Sequence, residues 1–234
     1  MNRALIFILL LASSRLFAQA VVFVEINDTV QKPKYQEFVF LNDNTDISGA
    51  VRVATLKAIG SQDDPVLLYN LIKDQAQKVG ANSFRLAKID KFPDQTAELM
   101  LETFYANDSI LGVNFNNIEK NNAYLFGDLN FLETRTQSCK VNGEKYDLKA
   151  GHYLKFAVMP GENLKIAKGG ITGTSLTVQG ESGKPSKFYC LKGFQITGAS
   201  GSANHVGVNF SSGDIGHVDQ DLALLLTRIF EEQH

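Results

Sequence analysis

The clearest hydrophobic pattern in the chain begins after Asp64 and predicts a helix with one apolar face. Asp64 is suited to cap this helix, and Pro65 to occupy its first turn, where a missing N–H costs nothing. Gly80 ends the pattern, and we interpret it as a left-handed C-terminal cap, not as part of a ligand loop. On that basis Gly80→Ala costs about 1 kcal/mol. The positions that share the helical face are Leu68, Leu71, Ile72, Gln75, Ala76 and Val79.

Short apolar or alternating runs on both sides of this helix predict strands. The run at 51–59 also fits the start of a helix at Leu56, but we interpret it as a strand. The resulting order predicts an α+β unit in which one helix packs on one antiparallel sheet. The predicted strands cover residues 21–26, 38–41, 51–59, 83–92, 96–105 and 111–115.

The second half of the chain alternates short strand patterns with turn signals. Asn142-Gly143 favours a two-residue type I′ hairpin turn, and Pro160-Gly161 and Gly169-Gly170 mark two more turns. Several short strands at this spacing predict a β-sandwich or a barrel. The last pattern, over residues 219–232, predicts a C-terminal helix with one apolar face.

Glycine usage changes near residue 120. Four of the 19 glycines precede residue 121, and the other fifteen follow it. The polar stretch at 116–122 lies at this change and is typical of a linker or surface loop. We therefore predict an α+β domain at 21–118 and a β-sandwich-like domain ending in a helix at 119–234, although one large β domain also fits the length.

Residues 1–20 have the pattern of an export signal. Arg3 precedes an apolar block at 4–12, and Ala18-Gln19-Ala20 matches the small-x-small cleavage pattern. The block is shorter than the roughly 20 residues of a membrane-spanning helix, which favours a cleaved signal over an uncleaved anchor. We expect a periplasmic or secreted protein without a transmembrane segment in the mature chain.

Composition indicates a folded protein, since 44% of the residues are hydrophobic and 21% are charged. Removal of the signal leaves 21 basic and 25 acidic residues, and this mild negative charge argues against a nucleic-acid partner. Cys139 and Cys190 form an even pair, which in an oxidising compartment predicts a disulfide. Free thiols or a metal site are the alternatives. No pattern indicates a cofactor.

Three polar residues near the C-terminus form the main candidate for a metal site. Asp214, His217 and Asp219 lie close in sequence and offer oxygen and nitrogen ligands, or an acid–base pair. The alternative is that Asp214 or Asp219 caps the last helix. The glycine-rich stretches at 168–175 and 180–186 lack the Gly-Lys-Ser/Thr order of a phosphate loop and are predicted to be turns.

Two stretches resemble known modules. The helix followed by "KVGANSFRL" is similar to the helix-GAN-strand junction of small exported envelope modules, such as Rcs-type outer-membrane stress-sensor lipoproteins. The lipobox and cysteine pattern of that sensor are missing, so no signalling role carries over. Residues 141–169 are similar to PEGA-type surface β-sandwich modules, which implies a structural or binding role and no catalytic residues.

These observations favour a non-catalytic envelope protein that acts by binding or scaffolding, with an envelope protein or a glycan as its partner. One alternative is a secreted hydrolase whose carboxylates, such as Asp214 and Glu181, are brought together only by the fold. Another is a metal-responsive envelope sensor that uses Asp214, His217 and Asp219.

Overall fold

The computed structural model describes residues 19–28, 30, 37–130, 132, 136–168, 174–191 and 215–234. Within these ranges the chain is mixed α+β, which confirms the predicted class. None of the described helices has the length and apolar character needed to span a membrane. The strands are β1 (Ala20–Ile26), β2 (Val39–Phe40), β3 (Val51–Ser61), β4 (Ser83–Lys91), β5 (Thr96–Tyr105), β6 (Asn122–Phe126), β7 (Gln137–Val141), β8 (Glu144–Leu148), β9 (His152–Ala157), β10 (Asn163–Lys168), β11 (Thr174–Gln179), β12 (Lys187–Cys190), β13 (Gly216–His217) and β14 (Glu231–Glu232), and the helices are α1 (Pro65–Lys78), α2 (Asp108–Asn117) and α3 (Gln220–Ile229).

The first sheet has the order β1-β3-β5-β4-β2 and carries α1 on one face. Its strands pair antiparallel except for β2, which runs parallel to β4. Leu56, Leu99 and Leu101 alternate toward α1 and are fully buried with Ile72 of that helix. The opposite face carries ion pairs such as Lys57 with Glu98 at 3.2 Å, which is typical of a solvated sheet face.

The helix α1 forms as its sequence predicts. The Asp64 carboxylate accepts the Leu67 N–H at 2.8 Å, and Pro65 occupies the first turn. Gly80 follows the helix with a φ of +94°, which confirms the left-handed conformation predicted for it. The Gly80 backbone also passes close to the Val30 carbonyl, so this position is restricted by contact as well as by conformation.

The predicted strand at 111–115 is wrong, because these residues belong to helix α2. Asn107 caps this helix by accepting the Ile110 N–H at 3.0 Å. Asn114 is the only buried residue of this helix. It occupies the inward-facing position that an apolar residue usually takes in a surface helix. Because the inward-facing residue is polar, the sequence lacks the 3.6-residue hydrophobic spacing of a helix. The alternation of Leu111, Val113 and Phe115 therefore indicates a strand.

The second half folds as two sheets that face each other across an apolar interior. One sheet has the order β11-β10-β7-β8 and the other β13-β12-β6-β9-β14. Leu125 and Leu154 of the five-stranded sheet meet Val141 and Ile166 of the four-stranded sheet in one buried cluster. This is the sandwich-like arrangement that the turn spacing predicts. The turn at Asn142-Gly143 has φ values of 50° and 90°, as a type I′ turn requires.

The C-terminal helix α3 joins the first sheet to the five-stranded sheet of the sandwich. Leu222, Leu226 and the following Phe230 lie in one core cluster with Phe40 of the first sheet and Phe126 of the sandwich. This apolar core therefore crosses residue 118, where the sequence predicts a domain boundary. The helix is shorter than the predicted 219–232, because β14 follows it and pairs with β9.

Candidate functional site

The residues predicted as metal ligands do not assemble in the described part of the chain. Asp214 lies outside the described residues. His217 is on β13, with its ring edge-on to Tyr189 at a centroid distance of 5.8 Å. Asp219 caps α3 by accepting the Asp221 and Leu222 N–H groups at 3.1 and 3.3 Å, which confirms the capping alternative for Asp219. Among the described residues, no group of three or more His, Cys, Asp or Glu side chains is placed to hold a metal ion.

Cys139 and Cys190 are both buried, and the structure does not show the predicted disulfide between them. Cys190 lies with Phe188 in the core that contains α3, whereas Cys139 lies with Leu125 in the sandwich interior. Side chains on a strand alternate between faces, so Cys190 points away from the layer that holds Cys139. A disulfide requires the two Cβ atoms to face each other across about 3.8 Å.

A small cleft lies at one end of the sandwich, where the loop between β11 and β12 meets the start of β6. Its enclosed volume is about 10 Å³, room for about one water molecule, and it opens to solvent. Three segments line it: residues 121–122 at the start of β6, Val158 after β9, and part of the stretch 178–187 that runs from β11 into β12. The second glycine-rich stretch is thus the turn that the sequence predicts, and it forms one wall of the cleft. Of the first stretch, residues 169–173 lie outside the described residues.

Backbone hydrogen bonds fix the three segments to one another. The Asn121 N–H donates to the Lys184 carbonyl at 3.3 Å, and the Val158 N–H donates to the Asn121 carbonyl at 2.8 Å. The Ser186 hydroxyl donates to the Glu119 carbonyl at 2.9 Å. A Cβ on Gly180 would lie 2.0 Å from the Met159 carbonyl oxygen, so only glycine allows this approach. The walls of the cleft are therefore held by main-chain contacts and need little ordering before a ligand binds.

Asn121 is the most unusual residue of the cleft. Its backbone is left-handed, with a φ of 59°, which is uncommon for any residue other than glycine. Its side-chain Oδ1 is buried and has no hydrogen-bond partner among the described residues. A buried polar atom without a partner costs about 1–3 kcal/mol, so such atoms are normally satisfied by a ligand or an ordered water.

The remaining lining residues surround Asn121 with donors, an acceptor and apolar surface. Lys184, Lys187 and Glu181 lie on the rim, and the Lys187 ammonium is 3.3 Å from the Glu181 carboxylate. Val158 and Val178 are buried and supply apolar walls. The mouth of the cleft thus presents hydrogen-bond donors and an acceptor beside apolar side chains.

Glu119 lies just before the cleft, but its carboxylate is engaged elsewhere. One oxygen is 2.6 Å from the Lys155 ammonium and accepts the Tyr124 hydroxyl at 2.7 Å. The hydrogen bond from Lys155 is the main reason that the pKa of Glu119 is lowered. Glu119 therefore anchors the start of β6 as an ionised carboxylate.

Sequence reasoning missed Asn121, because it assigned the whole stretch 116–122 to a linker or surface loop. The one available signal was the Asn121-Asn122 pair, since asparagine tolerates the left-handed conformation better than most residues. Its partners, Val158 and Lys184, are distant in sequence and give no local pattern.

No family model, curated protein or solved structure matches this chain. The resemblances to Rcs-type envelope modules and to PEGA-type modules therefore stay predictions.

Proposed function

We propose that this chain is an exported envelope protein that acts by binding a small ligand in the cleft at Asn121. One observation carries the proposal: the Oδ1 atom of Asn121 is buried without a hydrogen-bond partner among the described residues, at a cleft with fixed walls. A hydrogen bond donated by a ligand to this atom offsets the free-energy cost of burying it without a partner.

The pre-formed walls support binding as the role of the cleft. Asn121 is held at both its N–H and its carbonyl, so its backbone is already in place before a ligand arrives. Binding to such a site loses little conformational entropy, which favours affinity from a few contacts.

Binding can be tested with a thermal-shift screen over separate small-molecule classes: saccharides, amino acids, nucleosides and organic acids. Asn121→Gly is the informative variant, because glycine keeps the left-handed backbone and removes only the side chain. Gln95→Gly is the matched control, since Gln95 also has a left-handed backbone, with a φ of 67°, but lies in the turn before β5. We expect at least one class to raise the Tm of the wild type and of Gln95→Gly, but not of Asn121→Gly. If no class distinguishes the wild type from Asn121→Gly, the cleft does not bind small ligands.

Export is the other part of the proposal, and it rests on the pattern of residues 1–20. Cleavage near Ala20 would leave β1 at the start of the mature chain. We expect fractionation of the native host to place the protein in the periplasm or medium, with a mature N-terminus within a few residues of Val21. A full-length chain recovered from the cytoplasm would contradict export.

A secreted hydrolase is the second candidate, because Glu181 lies on the cleft rim. Glycoside hydrolysis usually uses two carboxyl groups, and Glu181 is the only carboxylate among the described residues that line the cleft. Asp214, the other predicted carboxylate, lies outside the described residues. Turnover of chromogenic glycosides that Glu181→Gln abolishes would favour this candidate over simple binding.

A further inference from the structure

Strand β1 is the only long apolar edge strand among the sheets that the structure describes. It lies at the edge of the first sheet, with β3 as its single strand neighbour among the described residues. Its seven residues, AVVFVEI, include one charged side chain and neither proline nor lysine. The side chains of Val22, Val24 and Ile26 are 48%, 53% and 56% exposed. An apolar edge strand of this kind offers its outer N–H and C=O groups as a template for another strand.

The other edges of the described sheets have features that normally prevent such pairing. Strands β2, β13 and β14 are two residues long. Strand β8 carries three charged residues, and β11 exposes Ser175 and Thr177. Strand β1 has one protective feature, a bulge between Phe23 and Glu25, but the bulge follows a regular stretch at Ala20–Phe23. This regular apolar stretch is free to pair along its outer edge.

We infer that β1 pairs antiparallel with β1 of a second copy of this chain. The two copies are related by a two-fold axis normal to the sheet, so two five-stranded sheets join into one of ten strands. The opposite edge of the first sheet is the two-residue strand β2, so this assembly closes at two copies. The β1 edge is separate from the cleft at Asn121, and the pairing does not depend on the proposed binding function.

The sequence of β1 is self-complementary in this arrangement. The two-fold axis keeps α1 of both copies on the same face of the sheet, so it must pass through a residue of β1. With Val22 at the axis, Ala20 lies opposite Val24. With Phe23 at the axis, Val22 lies opposite Val24. In both registers apolar side chains face apolar side chains, and such cross-strand pairs stabilise a sheet.

The single charge of β1 does not oppose this pairing. Glu25 is near one end of the strand, so antiparallel pairing places it opposite Gln19 or Val21 of the other copy. The two Glu25 carboxylates therefore do not meet. Each carboxylate is 3.7 Å from the Arg52 guanidinium of its own copy and accepts the Asn27 amide at 2.8 Å. A charged partner strand would instead place its charges against valines without an ion-pair partner, so a second β1 is the better occupant.

Sedimentation velocity of the purified mature protein tests the pairing. One strand from each copy forms less than a standard interface, so we expect a reversible dimer with a Kd of about 10 µM. The protein should change from monomer to dimer as its concentration passes through this value. Val24→Lys should raise the Kd by about tenfold or more, because an edge lysine opposes strand pairing. Val24 has no partner residue on β3 and is half-exposed, so this variant should keep the fold.

Val113→Lys is the matched control, because Val113 is 49% exposed but lies on helix α2. This variant should dimerise with the wild-type Kd. Asn121→Gly should do the same, so failure of the dimer and failure of the proposed cleft are separate results. A wild type that stays monomeric well above the expected Kd overturns the inference. Equal weakening by Val24→Lys and Val113→Lys also overturns it, because the effect would then not be specific to β1.

Thiol cross-linking shows whether β1 itself is the interface, and it keeps the inference testable if Val24→Lys does not fold. The two copies of residue 22 are about 5 Å apart with Val22 at the axis, or about 8 Å apart with Phe23 at the axis. A short bis-maleimide should therefore link two copies of Val22→Cys, but not two copies of Val113→Cys. A dimer that does not link at residue 22 uses another surface and overturns the inference. Linkage of Val22→Cys only to a different envelope protein would assign the edge to that partner and overturn it as well.

Discussion

The carboxylate of Asp221 accepts a hydrogen bond from the Phe40 N–H at 2.9 Å, across 181 residues of sequence. This contact joins the first turn of α3 to the short edge strand β2. The pKa of Asp221 is raised to about 7, mainly by burial and in smaller part by the neighbouring charge of Asp219. The hydrogen bond from Phe40 and the charge of Lys73 act in the opposite direction. The contact between α3 and the first sheet is therefore sensitive to pH.

We predict that Asp221 makes the protein less stable as the pH rises toward neutrality. Its pKa is about 7 in the folded state and about 3.9 in the unfolded chain. The folded state therefore binds more protons between these values, and the stabilisation present below the lower value is lost as the pH passes the upper one. The change amounts to at most about 4 kcal/mol. Urea denaturation across this range measures it, and Asp221→Asn should be more stable than the wild type above neutral pH.

Asp43→Asn is the control for this experiment. Asp43 pairs with Arg228 of α3 at 2.9 Å, so the variant removes an exposed ion pair at the same junction without removing the carboxyl of Asp221. Its stability should follow the wild-type pH dependence. If the wild type and Asp221→Asn change in parallel with pH, Asp221 does not cause the dependence.

Gly80→Ala should destabilise the protein by more than the 1 kcal/mol predicted from its conformation alone. The new Cβ would lie 2.1 Å from the Val30 carbonyl oxygen, in addition to requiring a φ of +94°. We expect a loss of about 3 kcal/mol in the free energy of unfolding. Gly143→Ala is a matched control, because Gly143 has a φ of +90° and open space around its Cβ position, and it should cost about 1 kcal/mol. Equal losses of stability in the two variants would show that the backbone at Val30 moves aside without destabilising the protein.

The predictable parts of the fold are those whose signals are local. The N-cap, first-turn proline and glycine end of α1 lie within 17 residues, from Asp64 to Gly80, and each acts on neighbouring backbone. The hairpin at Asn142-Gly143 is equally local. Helix α2 is not predictable in this way, because its buried residue is Asn114, whose partners Phe40, Asn42 and Thr45 come from β2 and the segment that follows it. Hydrogen bonds between residues so far apart in sequence leave no periodic hydrophobic pattern.

The candidate site was less predictable than the fold for the same reason. Asn121 belongs to the cleft because of two distant contacts. Val158 and Lys184 hydrogen-bond to its backbone, and the loop from β11 to β12 packs around it. Glu181 was singled out as a carboxylate, but its position on the rim depends on the approach of Gly180 to Met159. Residues that are dispersed in sequence and joined by main-chain contacts leave no motif.

Asn114→Ala should cost about 3 kcal/mol of stability. Asn114 donates to the Phe40 carbonyl at 2.9 Å and accepts from the Asn42 N–H and the Thr45 hydroxyl at 2.8 and 2.9 Å. The variant leaves these three groups without their partner in a buried setting, which costs more than the bonds themselves contribute. Chemical denaturation measures the loss. Asn116→Ala, on the exposed side of the same helix, should change stability by less than about 0.5 kcal/mol, and a similar loss in both variants would contradict the role of Asn114.

Cys139 and Cys190 should stay unlinked in the mature protein even when it is prepared under oxidising conditions, because the two side chains face different core layers. Burial raises the pKa of Cys139 to about 11, which leaves little thiolate at pH values near 8. Iodoacetamide should therefore label the native protein slowly at both buried sites. After denaturation without reductant, mass spectrometry should find both cysteines alkylated. A protein lighter by two hydrogens and resistant to alkylation until it is reduced would show instead that the disulfide forms, and that β12 must turn its cysteine into the sandwich interior.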